Sequence, residues 1–206
     1  MYPVIEVTAV AALAMYGVLR GARKDFDLVG ICYIAFAVAF GGGTLRDLLL
    51  DRHPIFWIEN DHLAWIVMAI AVSGAFLPKL IARLEPILWI PDALGLGLFS
   101  ILGAVYAIDC GTGRFVAILM GVITGSCGGV IADVICNDLP SVFQRSPLYA
   151  TCSFLGALSY VALHALGVDS SAAMAIGVTV VVAIRIGAVR WNWQLPPHTR
   201  PGEPPG

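Results

Sequence analysis

The chain has 206 residues, of which 59% are hydrophobic and only 13% charged, with a formal net charge of −2. A water-soluble domain of this size carries about 25% charged residues, so this composition excludes a globule that covers itself in water. The slightly acidic balance also excludes the basic footprint of a nucleic-acid binder.

Seven apolar runs follow one another at about 4–20, 28–50, 62–82, 90–108, 114–136, 147–166 and 172–190, each near the ~20 residues a membrane-crossing helix needs. The first opens with Glu6 and lacks the basic start of a secretory signal, so it reads as a span that stays. The second carries Gly41-Gly42-Gly43, then Thr44, Arg46 and Asp47. Consecutive glycines inside a helix cost about 1 kcal/mol each relative to alanine and make a kink easy. A kink frees backbone carbonyls, tolerated at membrane depth only against protein or a water-filled cavity. Facing such a cavity they are the hard oxygen ligands a dehydrated cation needs. The competing reading is close helix packing, which is also favoured for the Gly17/Gly21 and Gly121/Gly125 pairs.

The third run is read as one span over 62–82. The fourth opens on Asp92, as the first opens near Glu6, and at a helix N-terminus a carboxylate suits the positive end of the dipole. The fifth carries Gly128-Gly129 and Asp133, and the seventh carries Arg185. Ionisable groups within or near the ends of spans are expensive in lipid and face a partner or a polar interior. Arg46 and Asp47 are neighbours in sequence, and adjacent helix positions do not face each other. Arg46 is therefore expected to reach Asp133 instead; snorkelling or a purely structural ion pair is the alternative. The tail 191–206, rich in proline and glycine and too polar to span, is expected to be disordered.

Basic residues Arg20, Arg23, Lys24, Lys79, Arg83, Arg145, Arg190 and Arg200 fall on one set of loops, while the opposite set holds little beyond Arg52 and Arg114. The positive-inside bias makes the first side cytoplasmic, with the N-terminus outside and the C-terminus inside. The five cysteines form no CxxC pattern and the four histidines are dispersed, so no metal site or disulfide framework is expected. No nucleotide-binding or catalytic motif is present, which points away from an enzyme and from any cofactor.

Sliding the sequence along itself by 86 residues lays Gly42-Gly43 over Gly128-Gly129, Asp47 over Asp133, Pro54 over Pro140 and Glu6 over Asp92. Repeat one covers about 4–82 and repeat two about 90–166, with an extra helix at about 172–190. Three spans per repeat is an odd number, so the second repeat must lie inverted relative to the first, as in many membrane transport proteins. The expected fold is an all-α integral membrane domain over 1–190, with seven transmembrane helices in two inverted three-helix repeats plus a seventh.

Gly41-Gly42-Gly43-Thr44-Leu45-Arg46-Asp47, running on to Arg52-His53-Pro54-Ile55-Phe56-Trp57, resembles the signature of the bacterial trimeric intracellular cation (TRIC) channel family. Gly128-Gly129 to Asp133 resembles its second-repeat counterpart. The same family carries the label of a glycine-transporter-like domain. The resemblance implies a homotrimer in a bacterial inner membrane, with one pore inside each subunit. It implies permeation by the monovalent cations potassium and sodium past kinks in the second and fifth helices, and the same orientation as the charge count. Carried onto this chain, the kinks fall at Gly41, Gly42, Gly43, Gly128 and Gly129, with monovalent cations at backbone carbonyls near Gly41 and Gly128. Thr44 lies beside the first kink, and Arg46, Asp47 and Asp133 belong to the same motifs; together with Arg185, read above from its place in the seventh run, they are the charges expected at the passage. Cys127 stands where a third glycine would begin the second run, which weakens that kink. Because inverted repeats serve carriers as well as channels, a secondary transporter of glycine or another small solute is the alternative.

Overall fold

The computed structural model describes residues 2–196, and no strand occurs among them. Nine helices follow in order: α1 (Pro3–Arg23), α2 (Leu28–Leu49), the one-turn α3 (Phe56–Glu59), α4 (His62–Phe76), α5 (Pro78–Leu84), α6 (Trp89–Asp109), α7 (Arg114–Ile135), α8 (Ala150–Ala165) and α9 (Ser170–Trp191). Short polar residues start several of them. Pro3 opens α1, where its missing N–H is no loss, and Asp27 accepts from the Gly30 N–H at 2.7 Å to begin α2. Asp169 accepts from the Ala172 N–H at 3.1 Å to begin α9, so each cap satisfies an otherwise orphaned donor.

The internal repeat is visible in the helix bounds. α1 and α6 each have 21 residues and α2 and α7 each have 22, with Pro3 matched by Trp89 and Leu28 by Arg114, again 86 residues on. α2 and α7 also end alike. The Arg52 N–H returns to the Asp47 carbonyl and the Asp138 N–H to the Asp133 carbonyl, both at 2.8 Å. Asp51 and Asn137 supply the left-handed residue in each (φ 51° and 55°), a conformation that short polar side chains tolerate.

The matched helices run antiparallel through the centre. Glu6 near the start of α1 meets Tyr106 near the end of α6, and Leu13 packs on Gly95. Gly42 of α2 lies against the Thr124 carbonyl of α7, and Gly128 of α7 against the Val38 carbonyl of α2. α4 packs against α1 and α2, while α8 packs against α6, α7 and α9, and α9 against α6 and α8. Large apolar side chains such as Tyr33, Trp65, Phe76, Phe115 and Leu166 are exposed around the outside, the surface of a protein whose solvent is lipid. The chain is an all-helical membrane protein.

Five helices (α1, α2, α6, α7 and α9) are long and apolar enough to cross a bilayer. α4 and α8, with 15 and 16 residues, are about 23 and 24 Å long at 1.5 Å per residue, short of a ~30 Å hydrocarbon core. The third apolar run is not one straight span, as the sequence suggested. The chain bends by 101° between α4 and α5, because Pro78 drives the preceding Leu77 out of helical geometry (φ −118°, ψ 57°).

The start of the tail is held. The Trp193 carbonyl accepts from the Leu148 N–H at 2.9 Å, and the Trp193 ring stacks on Trp191 with centroids 5.4 Å apart. Of the tail 191–206, expected to be disordered, residues 197–206 lie outside the described residues.

Candidate functional site: two polar clusters at opposite ends

The closing turn of α2 brings Asp47 beneath the loop that follows. One carboxylate oxygen accepts from Arg46 Nε at 2.8 Å and Arg52 Nη1 at 2.9 Å, and the other from the Phe56 N–H at 2.9 Å. That last bond places the carboxylate at the start of α3, where it fills an orphaned donor. Arg46 is fully buried, with its guanidinium carbon 4.3 Å from the Tyr106 ring centre and 5.1 Å from that of Phe56. Arg52 covers the Tyr106 ring from 3.9 Å. The Tyr106 hydroxyl donates to Glu6 at 2.6 Å. Both terminal nitrogens of Arg46 lack a hydrogen-bond partner among the described residues. A polar recess of about 340 Å³ opens above this cluster, lined by Glu6, Arg52, Phe56, Glu59, Asn60 and Tyr106 among others.

At the other end Asp133 repeats the arrangement with a different cation. One of its oxygens accepts from Arg20 of α1 at 2.9 Å, and the other from the Ser141 N–H at 2.8 Å and the Ser141 hydroxyl at 3.0 Å. Arg20 also donates to Asp138 at 2.9 Å, and Lys24 donates to the same carboxylate at 2.7 Å. The hydrogen bond from Lys24 is the main reason that the partly exposed Asp138 carboxyl is held below its ordinary pKa. Deeper in, Asp92 accepts from the Tyr149 hydroxyl at 3.0 Å and Arg185 Nη2 at 3.1 Å. Arg185 Nη1 donates to the carbonyls of Pro147 and Leu148, and its guanidinium lies 4.6 Å from the Tyr149 ring centre. A recess of about 350 Å³ opens here, lined by Ser141 to Thr151 with Leu195 and Pro196.

Arg46 does not pair with Asp133. Each lies near the C-terminal end of its helix, and the two helices are antiparallel, so the groups stand about 20 Å apart along the axis at 1.5 Å per residue. Arg46 and Asp47 leave the helix in different directions, yet the arginine stem is long enough to fold Nε back onto the neighbouring carboxylate. Glu6 and Asp92 do not cap their helices either, since neither helix start has a side-chain cap. Each instead accepts a tyrosine hydroxyl.

The glycine runs sit between the clusters, and both helices continue through them without a break. A Cβ at Gly43 would overlap the Phe56 ring, and one at Gly129, its counterpart, would overlap the end of Tyr149. Gly42 and Gly128 face the opposing helix, with Leu13 also against Gly128. Gly41 and Thr44 face elsewhere, into an open apolar groove with Phe36, Phe40, Trp57, Cys127 and Ile131, where the Trp57 indole N–H donates to Thr44 at 3.0 Å. The structure thus joins Arg46 with Asp47, Asp133 with Arg20, and Arg185 with Asp92.

Sequence reasoning missed Arg20, Ser141, Tyr106, Phe56 and Tyr149. Arg20 and Tyr106 occupy the same repeat position, and each completes the cluster of the other half. Polar-tipped aromatics within apolar runs were the available signal, because a buried tyrosine hydroxyl requires a partner.

The chain matches the family described as Glycine transporter over residues 3–79 and again over 89–165, one match per repeat. It is 36% identical to a UPF0126 membrane protein of Vibrio cholerae over 193 residues, covering 93% of this chain and 80% of that protein. It is 32% identical to the UPF0126 inner membrane protein YadS of Escherichia coli, covering 93% of each. Among solved structures it resembles the TRIC trimeric intracellular cation channel orthologue from Rhodobacter sphaeroides. That likeness has a TM-score of 0.86 at 31% identity, over 92% of this chain and 97% of that one. A structure described for conductance through TRIC cation channels matches with a TM-score of 0.88 at 25% identity, over 98% and 100%.

Proposed function

The chain belongs to the Glycine transporter family, the grouping that includes the TRIC channels, and on that premise we propose that it is a passive channel for monovalent cations, potassium and sodium. In this reading α4 with α5, and α8, complete seven membrane crossings, and the antiparallel halves form two inverted three-helix repeats plus α9. The protein assembles as a homotrimer in a bacterial inner membrane, N-terminus outside and C-terminus in the cytoplasm, with one pore in each subunit between α2 and α7.

The observation that carries this reading is the matched pair of recesses at the two ends. Each is floored by an aromatic side chain, Phe56 or Tyr149, seated on equivalent glycines, Gly43 and Gly129. A path that opens would run from one recess to the other along surfaces where glycine leaves no side chain in the way. In this reading the path is closed by Leu13, which is buried against Gly95 and Gly128. Opening moves the two rings aside and bends α2 and α7 at their glycines, which exposes carbonyls near Gly41 and Gly128 to a cation. Both oxygens of Asp47 and of Asp133 are already engaged, so these acids act first as anchors for the loops that carry the rings.

Potassium flux from liposomes holding the purified protein, with the membrane potential clamped, tests the proposal. Passive, unsaturated flux without a co-substrate is expected, rising several-fold in Phe56→Ala and Tyr149→Ala. No potassium flux, together with saturable uptake of labelled glycine, overturns it in favour of the carrier that the family description suggests.

A further inference from the structure

We propose that the elbow between α4 and α5 is a binding site for one anionic phospholipid, taken from the leaflet that the charge distribution makes cytoplasmic; this leaflet assignment rests on the membrane orientation proposed above. The bend of 101° turns α5 across the direction of α4, so that α5 lies along the membrane surface if α4 crosses it. Such a helix is expected to be amphipathic, with an apolar side toward acyl chains and cations toward headgroups.

The sequence of α5 has that division. Ile81 is buried and packs near Gly74, fixing the helix to the body of the protein. Glu85, just beyond α5, accepts from Arg23 Nε at 2.7 Å, which pins the other end. Leu80 and Leu84, one turn apart, face an apolar groove of about 250 Å³ whose other walls include Met15, Ile70 and Leu77, with Ser73 its one hydroxyl side chain. Lys79 and Arg83, also one turn apart, are both exposed on the row beside these leucines, and neither forms an ion pair among the described residues. The cations nearest the elbow, Arg20, Arg23 and Lys24, are each committed to a carboxylate, whereas Arg145 and Arg190, placed on the same side by the charge count, lie on other elements.

A rigidly held helix with an apolar groove on one side and two uncommitted cations on the next fits a molecule that is apolar along its length and anionic at its head. A free phosphate would leave the groove uncovered, and a neutral lipid would leave the cations unmatched. Near an anionic surface each such cation contributes about a factor of five in affinity, so the pair is worth about twenty-five-fold.

The test is native mass spectrometry of the full chain, equilibrated in detergent with equal amounts of phosphatidylglycerol and phosphatidylcholine. Retention of phosphatidylglycerol over phosphatidylcholine is expected, with the preference falling about twenty-five-fold in Lys79→Gln/Arg83→Gln. Ser73→Phe, which fills the groove and keeps both cations, is expected to lose the retained phosphatidylglycerol. Equal retention of the two lipids, or a double variant that prefers phosphatidylglycerol as before, overturns the proposal. Potassium flux is read separately, so a chain that retains the lipid but conducts nothing defeats the channel reading and leaves this one standing.

Discussion

The two ends of the molecule solve one problem with different parts. At each, an aspartate near the end of a glycine-bearing helix ties down the loop that follows, and an aromatic side chain from beyond that loop covers a glycine. At the Asp47 end the balancing cation comes from the adjacent residue and is wholly enclosed, whereas at the Asp133 end it comes from α1 and shares a second carboxylate near the surface. Arg46 is therefore enclosed and intolerant of change, although Arg52, the second cation on Asp47, is partly exposed. At the Asp133 end Arg20 holds Asp138 as well and keeps a partner when one contact is lost, which makes this the easier end to loosen.

The largest expected effect lies at the Asp47 end. Arg46→Ala leaves Asp47 with Arg52 as its remaining cation and empties the space of a fully buried side chain, and such a large-to-small truncation in a core costs about 2–5 kcal/mol. Thermal unfolding in detergent should show it, and a melting temperature close to wild type would mean that Arg52 alone suffices. Next comes Gly43→Ala, whose added methyl overlaps the Phe56 ring and costs about 1–3 kcal/mol by overpacking. Gly129→Ala meets the end of Tyr149, whose hydroxyl is held by Asp92, and should raise basal potassium flux from liposomes; unchanged flux would mean that Tyr149 does not close the path.

A smaller loss is expected for Asp133→Asn, because the amide oxygen still accepts from Ser141 and Arg20 keeps Asp138. The weakened charged hydrogen bond amounts to about 1.5 kcal/mol. Basal potassium flux should rise as the loop carrying Tyr149 loosens; a fall would make Asp133 an attractor of cations rather than an anchor. The smallest effect concerns Asp138, whose carboxyl is held below its ordinary pKa chiefly by Lys24. A depressed folded value means the contribution is complete above the unfolded value of about 3.9 and is lost as pH falls through the lower folded one. Melting temperatures of wild type and Asp138→Asn should therefore differ slightly at pH 7 and converge below about pH 4.

Much of the fold was legible in the amino-acid pattern because lipid imposes it. The bounds of α2 and α7 follow from apolar runs ended by polar residues, and the spacing of Gly42, Asp47 and Pro54 announced the repeat. Pairings were harder. The inversion that the odd span count implied already forbids Arg46 from meeting Asp133, since it sends equivalent helix ends to opposite faces, yet adjacency rules alone pointed the other way. The elbow at Leu77 was signalled by Pro78, but a local rule competes poorly with an unbroken run of hydrophobic residues. Which aromatic covers which glycine depends on three-dimensional packing between loops and helices, and no linear period carries it.

The exchange of Arg20 and Tyr106 between halves has a consequence for biogenesis. As the ribosome delivers the chain, the first half enters the bilayer with Arg20 lacking Asp133 and Glu6 lacking Tyr106, since both partners are still to be translated. Unmatched polar groups inside lipid are costly, so the early half is a provisional insert that matures only when the late half slides in beside it. Duplicated though they are, the halves are expected to behave as one folding unit, and cutting the gene between them should yield fragments that persist only when made together.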